Sequence, residues 1–306
     1  MSEQTLTGYL APEEHMGDML AELGEGVRLH GRLALLPGPA RPIAWVANVW
    51  RDPRAIAISS IAEGAIALRA IQRNWALYPL ALHRRASLIV ARLPHVSAKP
   101  LNFPAPAPSA PLGSWTLLDA NTILAAAHCS SPFPNGEVRF VEDRSGPPNR
   151  AYLKLWEALT VAGRHPAPGS LCLDLGSSPG GWTWVLQKLG ARVISIDKAP
   201  LDPAIAALPG VDYRRASAFS LEPSAIGPVD WLFSDVVCYP ARLLRLVDGW
   251  LASSVVQNFV CTLKFQGETD MQTARRFAGI PGSRLVHLSH NKHELTWIKL
   301  ASSEAQ

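Results

Sequence analysis

The chain has 306 residues, 48% of them hydrophobic and 18% charged, which is long enough for two domains or one large one and excludes extensive disorder. A formal charge of +4 at pH 7 suits a polyanionic partner, although many globular proteins without one share it. Cysteines 129, 172, 238 and 261 lie far apart with no C-x-x-C pair, which excludes a zinc knuckle or a disulfide framework and sets the expectation of a reducing cytoplasm.

At the amino terminus, MSEQTLTGYLAPEEH has no basic region followed by an apolar core, and no apolar run along the chain is long enough for a bilayer, so a soluble, unsecreted protein is expected. Thr5 to Leu10 reads as a strand, Pro12 to Leu23 as a helix, and Val27 to Leu36 and Ile43 to Trp50 as strands. Ala55 to Ile71 reads as a helix and Ser87 to Leu93 as a strand, which gives the β-α-β-β-α-β order of a ferredoxin-like α+β domain over residues 1–98. Lys99 to Gly113, KPLNFPAPAPSAPLG, is proline-rich and reads as a linker, with a second domain over residues 114–306.

Ser114 to Ala127 reads as one or two strands, Ser130 to Asn149 as a loop-rich bridge, and Arg150 to Ala162 as an amphipathic helix. Strands are expected at Leu171 to Leu175, Val193 to Ile196, Trp231 to Ser234, Val260 to Lys264, Arg284 to Leu288 and Leu295 to Leu300. Helices are expected at Trp182 to Leu189, Ala241 to Leu251 and Met271 to Ala278. Such alternation implies an α/β fold with a mostly parallel, doubly wound, Rossmann-like sheet.

The segment SLCLDLGSSPGGWTWVLQKLGARVISIDKAPL, from Ser170 to Leu201, reads as strand, glycine-rich turn, helix, strand and terminal carboxylate. Gly176, Pro179, Gly180 and Gly181 allow a tight turn against a ligand, and Asp197 stands where a doubly wound sheet sets a carboxylate against a ribose. Glycines chosen for packing would explain the turn alone, but not the carboxylates at both strand ends. The spacing is G-x-x-x-G-G, so the dinucleotide fingerprint G-x-G-x-x-G is absent and a nicotinamide-dependent oxidoreductase is disfavoured.

Four ionisable residues stand at strand ends or a helix start: Lys154 in RAYLKLWEAL, Asp235 in DWLFSDVV, Lys264 in FVCTLKFQG and Glu294 in HNKHELTW. Each could be a solvated charge at an element end, but together they are harder to dismiss. In that order they resemble the Lys-Asp-Lys-Glu tetrad of the FtsJ-type ribose 2′-O-methyltransferases. The resemblance covers residues 130–300, and is nearest to the bacterial large-subunit ribosomal RNA (cytidine-2′-O-)-methyltransferases of the M type. It is carried by SSPF, LKLWEA around Lys154, DLGSSPGGWT, SDVVCYPAR after Asp235, and LKF at Lys264.

The resemblance implies S-adenosylmethionine as methyl donor, enclosed at its methionine end by Asp174, Gly176, Ser177, Pro179, Gly180, Gly181 and Trp182, with Asp235 nearby. Asp197 would hold the ribose. At the position where relatives often place an Asp against adenine, this chain has Ser217. The implied partner is RNA, ribosomal RNA in particular. Nine histidines are scattered without a metal-ligand pattern, so no metal is expected, and the lack of a long apolar run gives no membrane; His290 and His293 near Glu294 are candidate site neighbours, with solvated loop positions as the plainer alternative. The implied base toward the 2′-hydroxyl is Lys264, and because a free lysine has a pKa of about 10.4 the site must favour its neutral amine. Relatives of this type also carry a ferredoxin-like domain and an RNA-binding THUMP module, and the span before the linker is long enough only for the former. Arg84, Arg85, Arg139, Arg144, Arg150, Arg214, Arg215, Arg275 and Arg276 are candidate phosphate contacts, and Trp50, Trp75 and Trp115 candidate stacking residues, with surface and core roles as the plainer alternatives. The main rival to an enzyme is a non-catalytic RNA-binding protein that keeps the fold.

Overall fold

The computed structural model describes residues 5–302, and the chain folds into two compact units. The first comprises residues up to 101 together with 107–139; the second comprises 102–106 together with the chain from 140 onward. Among the described residues no helix is long and apolar enough to cross a membrane.

The first unit contains β1 (Leu6–Leu10), α1 (Met16–Leu23), β2 (Arg28–His30), β3 (Leu33–Pro37), β4 (Asn48–Arg51), β5 (Arg54–Ala57), α2 (Ile61–Ile71), β6 (Trp75–Leu77), α3 (His83–Val90), β7 (Gly113–Asp119), β8 (Thr122–Ala126) and β9 (His128–Cys129). Its strands form two sheets, ordered β2-β3-β1-β4-β9 and β5-β8-β7-β6. Strand β8 shows the period of two: Ile123 and Ala125 enter a core with Leu68, Ile89 and Trp115, while Leu124 and Ala126 enter another with Leu10, Leu33 and Trp50.

The unit is α+β, but its elements depart from the expected β-α-β-β-α-β order. Residues 83–90 are a helix, against the expected strand over 87–93, because the residues that are buried, Ala86 and Ile89, are spaced by three rather than two. The expected helix from residue 55 begins only at Ile61, since the Ser60 hydroxyl accepts from Glu63 N–H at 3.1 Å and caps it, leaving 54–57 as a strand. The linker expected over 99–113 does not mark the boundary either. Among the described residues β5 pairs only with β8 and β6 only with β7, so the strands after the prolines complete this unit's second sheet.

The second unit contains α4 (Tyr152–Ala162), β10 (Leu171–Leu175), α5 (Gly181–Lys188), β11 (Arg192–Asp197), α6 (Pro203–Ala206), β12 (Val211–Arg215), α7 (Pro223–Ile226), β13 (Val229–Ser234), α8 (Pro240–Ser253), β14 (Val256–Lys264), α9 (Met271–Ala278), β15 (Ser283–Val286) and β16 (Glu294–Lys299). These form one seven-stranded sheet, ordered β12-β11-β10-β13-β14-β16-β15. All neighbours from β12 to β14 are parallel, and β16 runs antiparallel to both β14 and β15. The chain runs outward from β10 through β11 to β12, then returns to β13 and β14 on the other side of β10. This reversal is the topological switch point, outside whose carboxyl strand ends doubly wound sheets take their ligands. Helix α4 is not amphipathic as expected: every residue from Tyr152 to Thr160 is buried, Lys154 and Glu157 included. Two charges inside such a helix need partners.

Candidate active site

Three strand ends and one helix bring the tetrad together. Asp235 follows β13, Lys264 ends β14 and Glu294 begins β16, where antiparallel pairing sets Lys264 directly opposite Glu294. Lys154 enters from the first turn of α4. Its Nζ donates to Asp235 Oδ1 at 2.8 Å and Oδ2 at 2.9 Å, and lies 3.1 Å from Glu294 Oε1. Lys264 Nζ lies 3.1 Å from Asp235 Oδ1 and donates to the Asp235 carbonyl at 2.5 Å. The carboxylate of Asp235 therefore lies between two amines.

The two lysines differ in what surrounds them. Burial of Lys154 acts to lower its pKa, but the carboxylates of Asp235 and Glu294 outweigh that effect and hold it above the ordinary lysine value. Lys154 thus stays a cation. Lys264 has an ion-pair distance to Asp235 alone among the described residues.

Beside this cluster, Asp174 near the carboxyl end of β10 is buried, and its Oδ2 accepts from the Thr183 hydroxyl at 2.7 Å. Thr183 Oγ1 in turn lies 2.7 Å from Ser195 Oγ in β11. Asp174 Oδ1 is buried without a hydrogen-bond partner, as are the hydroxyls of Ser177 and Ser234. Burial raises the Asp174 pKa to about 7; Asp235 and Asp197 push it the same way, against the Thr183 hydrogen bond. One strand along, Asp197 accepts from Ser178 N–H at 3.0 Å and Ala199 N–H at 2.9 Å, so its carboxylate braces the turn. Ala216 N–H donates to the Asp197 carbonyl at 3.1 Å, which sets Ser217 at the same edge. The Ser217 hydroxyl accepts from Phe219 N–H at 3.3 Å.

The turn glycines are required by the protein's own packing. Gly176 has φ +79°, and a Cβ there would lie 2.6 Å from Val236 Cα, the residue after Asp235. Gly180 has φ +116°, and its Cβ would lie 2.7 Å from Ile205 Cγ2. A Cβ on Gly181 would collide with the Asn149 side chain. Pro179 accepts at its carbonyl from Asp202 N–H at 2.9 Å, which ties the turn to the start of α6. Trp182 is 3% exposed, and its indole N–H donates to the Ala151 carbonyl at 2.9 Å, just before α4. Trp50, Trp75 and Trp115 are likewise buried, at 0%, 5% and 0% exposure, so none presents a stacking face.

Sequence reasoning passes over Thr183, Ser195 and Glu157, and reaches His290 only as a neighbour of Glu294, without its 2.6 Å contact to Glu157. Glu157 lies three residues after Lys154, a spacing that puts both on one helix face, but nothing in the sequence says that this face is buried.

A doubly wound sheet with a carboxylate at each of two adjacent strand ends and a Lys-Asp-Lys-Glu cluster beside them defines a Rossmann-like domain of the kind that takes a ligand at its carboxyl strand ends. Residues 147–270 match the family model described as FtsJ-like methyltransferase. Ribosomal RNA large subunit methyltransferase M of Halorhodospira halophila is 37% identical over 172 residues, 54% of this chain and 50% of that one. The protein of the same name from Methylococcus capsulatus is 35% identical over 182 residues, 55% of this chain and 51% of that one. The chain spans about half the length of the curated relatives it matches. Among solved structures, the fibrillarin pre-rRNA processing protein of Methanococcus jannaschii covers 60% of this chain and 81% of its own, at 16% identity and a TM-score of 0.40.

Proposed function

We propose that the chain is a cytoplasmic, S-adenosylmethionine-dependent methyltransferase of RNA ribose 2′-hydroxyls, with ribosomal RNA as substrate. The observation that carries this reading is the joining of Lys154, Asp235, Lys264 and Glu294 into one hydrogen-bonded group beside the Asp174–Gly176 turn. The names of the matched relatives support the choice of RNA. The residues present also fit the cofactor. Asp174 Oδ1 is a buried, unpartnered acceptor suited to the methionine ammonium, and Asp197 stands one strand along for the ribose hydroxyls.

S-adenosylmethionine supplies an electrophilic sulfonium methyl. The 2′-hydroxyl is a poor nucleophile, so the protein must align it and take its proton. Lys264 Nζ accepts that proton in this reading, and Asp235 holds the amine through its carboxylate and its carbonyl. Lys154, fixed as a cation by two carboxylates, is the poorer base and the better electrostatic partner. Glu294 contributes by holding Lys154 and by standing opposite Lys264 in the strand register. The amino-terminal unit is proposed as an RNA-binding accessory, with Arg84 and Arg139 exposed on it.

Lys264→Ala tests the reading. It should retain the cofactor but lose methyl transfer by about a hundred- to ten-thousand-fold, the usual worth of a general base, measured with labelled donor on ribosomal RNA. Asp235→Ala should be comparably severe. If both variants methylate RNA at the parent rate, the tetrad assignment fails; if the parent chain itself transfers no methyl group, a non-catalytic RNA-binding role takes its place.

A further inference from the structure

We infer that Glu157 and His290 form a positioning pair that sets the geometry of the tetrad from outside it; the inference rests on the methyl-transfer reading above. Glu157 is 2% exposed, inside a helix buried all round, and its carboxylate is satisfied by one short loop. Oε1 accepts from Ser289 N–H at 2.7 Å, and Oε2 accepts from His290 N–H at 3.0 Å and lies 2.6 Å from His290 Nδ1. Three donors on one buried carboxylate make a fixed joint, because an unmet donor or acceptor there is costly.

The loop so held leads into β16 and delivers Glu294. Asn291 Nδ2 donates to the Glu294 carbonyl at 3.2 Å and to Thr296 Oγ1 at 3.1 Å, and Lys292 N–H donates to Glu294 Oε1 at 3.3 Å. Phe265 N–H, directly after Lys264, donates to the His293 carbonyl at 3.2 Å. Helix α4 is therefore fastened to this loop twice, one turn apart: by Lys154 on Glu294 and by Glu157 on Ser289 and His290. The second fastening fixes how far the loop stands from α4, and with it the reach of Glu294 to Lys154. His290 is seated by Phe140, with ring centroids 5.7 Å apart. Among the described residues the side-chain hydrogen bonds and ion pairs of Glu157 and His290 run to each other and to Ser289 rather than to a tetrad side chain, so the pair acts through Glu294, which it sets against Lys154.

Glu157→Gln keeps the shape but turns one acceptor into a donor that faces N–H groups. It should lower kcat about ten- to a hundred-fold, as misplacements near 1 Å do, with KM for RNA and cofactor affinity unchanged. His290→Ala should lower kcat in the same way, and His290→Asn, whose Nδ2 can replace the Nδ1 donor, should restore most of it. Coupling separates positioning from mere structural support. In a Glu294→Gln background, Glu157→Gln should cost almost nothing more, because the group it positions has already gone. Multiplying losses in the double variant, or a parent-like kcat in both Glu157→Gln and His290→Ala, would overturn the inference. Asp235→Ala measured alongside keeps the two failures apart. If it keeps the parent kcat, the tetrad assignment on which the inference rests fails; if it is inactive while both positioning variants keep the parent kcat, only the positioning pair fails.

Discussion

Asp174 is the residue whose titration is most informative. An aspartate in an unfolded chain ionises near pH 3.9, but burial holds this carboxyl protonated up to about 7. Between those values the native state binds more protons than the unfolded state, so this group's contribution to stability falls as pH rises through the window. Asp174→Asn, neutral throughout, removes that slope. Thermal midpoints across pH 4 to 8 should converge or cross as the parent loses relative stability toward neutrality, and parallel curves would refute the assignment. The same variant should lose cofactor binding, since its amide sets a donor toward the ammonium. Lys154 makes a complementary prediction. Lys154→Met leaves Asp235 and Glu294 without the cation between them, and removing one partner of a buried ion pair typically costs about 3–5 kcal/mol. Denaturant unfolding should show that loss, and Glu294→Gln in the same background should recover part of it by removing one uncompensated charge.

At the scale of elements, the glycine turn joins the site to the sheet. Gly176 is held between the end of β11, through a 2.9 Å hydrogen bond to the Ile196 carbonyl, and the backbone of Val236. Gly176→Ala must adopt a left-handed φ, at roughly 1–2 kcal/mol, and must also push Val236 and hence Asp235. The melting temperature should fall by at least about 2–4 °C per kcal/mol lost, and cofactor binding should weaken with it. A variant as stable as the parent and with unchanged affinity would place the pocket elsewhere. This turn is legible in sequence because glycine, proline and terminal carboxylates have few other uses in such a run. Strands β10, β13 and β14 are legible as continuous apolar runs, buried on both faces. Strand β12, VDYRR, is not, because it lies at the sheet edge and alternates in exposure. Helix α3 is easily misread because LIV serves either period until its neighbours are known. The tetrad is legible through its resemblance to a family. Glu157 and His290 carry no such mark, and their role depends on burial that only the assembled fold supplies.

For the whole molecule, proline content is a poor guide to the division of the chain, because β7 and β8 follow the prolines and still pair within the first unit's sheet. Charge is the more useful property at this scale. Arg139, Arg150, Arg214 and Arg276 are exposed and lie within 4 Å of surface carboxylates, at 3.9, 2.8, 2.7 and 3.8 Å. Such pairs are worth about 0–1 kcal/mol each, so a phosphate can replace the carboxylate at little cost. With a net charge of +4, RNA association should then be driven by counterion release. The logarithm of RNA affinity should fall linearly with the logarithm of salt concentration, by roughly 0.7 per phosphate contacted on a single strand and 0.9 on a duplex. Cofactor affinity should change far less, because the groups assigned to it are largely buried and screened little by salt. Filter binding and calorimetry from 50 to about 300 mM salt compare the two directly. Replacing Arg139 and Arg84 with Ala should lower the RNA slope and leave the cofactor titration unchanged. A salt-independent RNA affinity would remove the electrostatic basis for an RNA partner and leave the tetrad in search of another hydroxyl substrate.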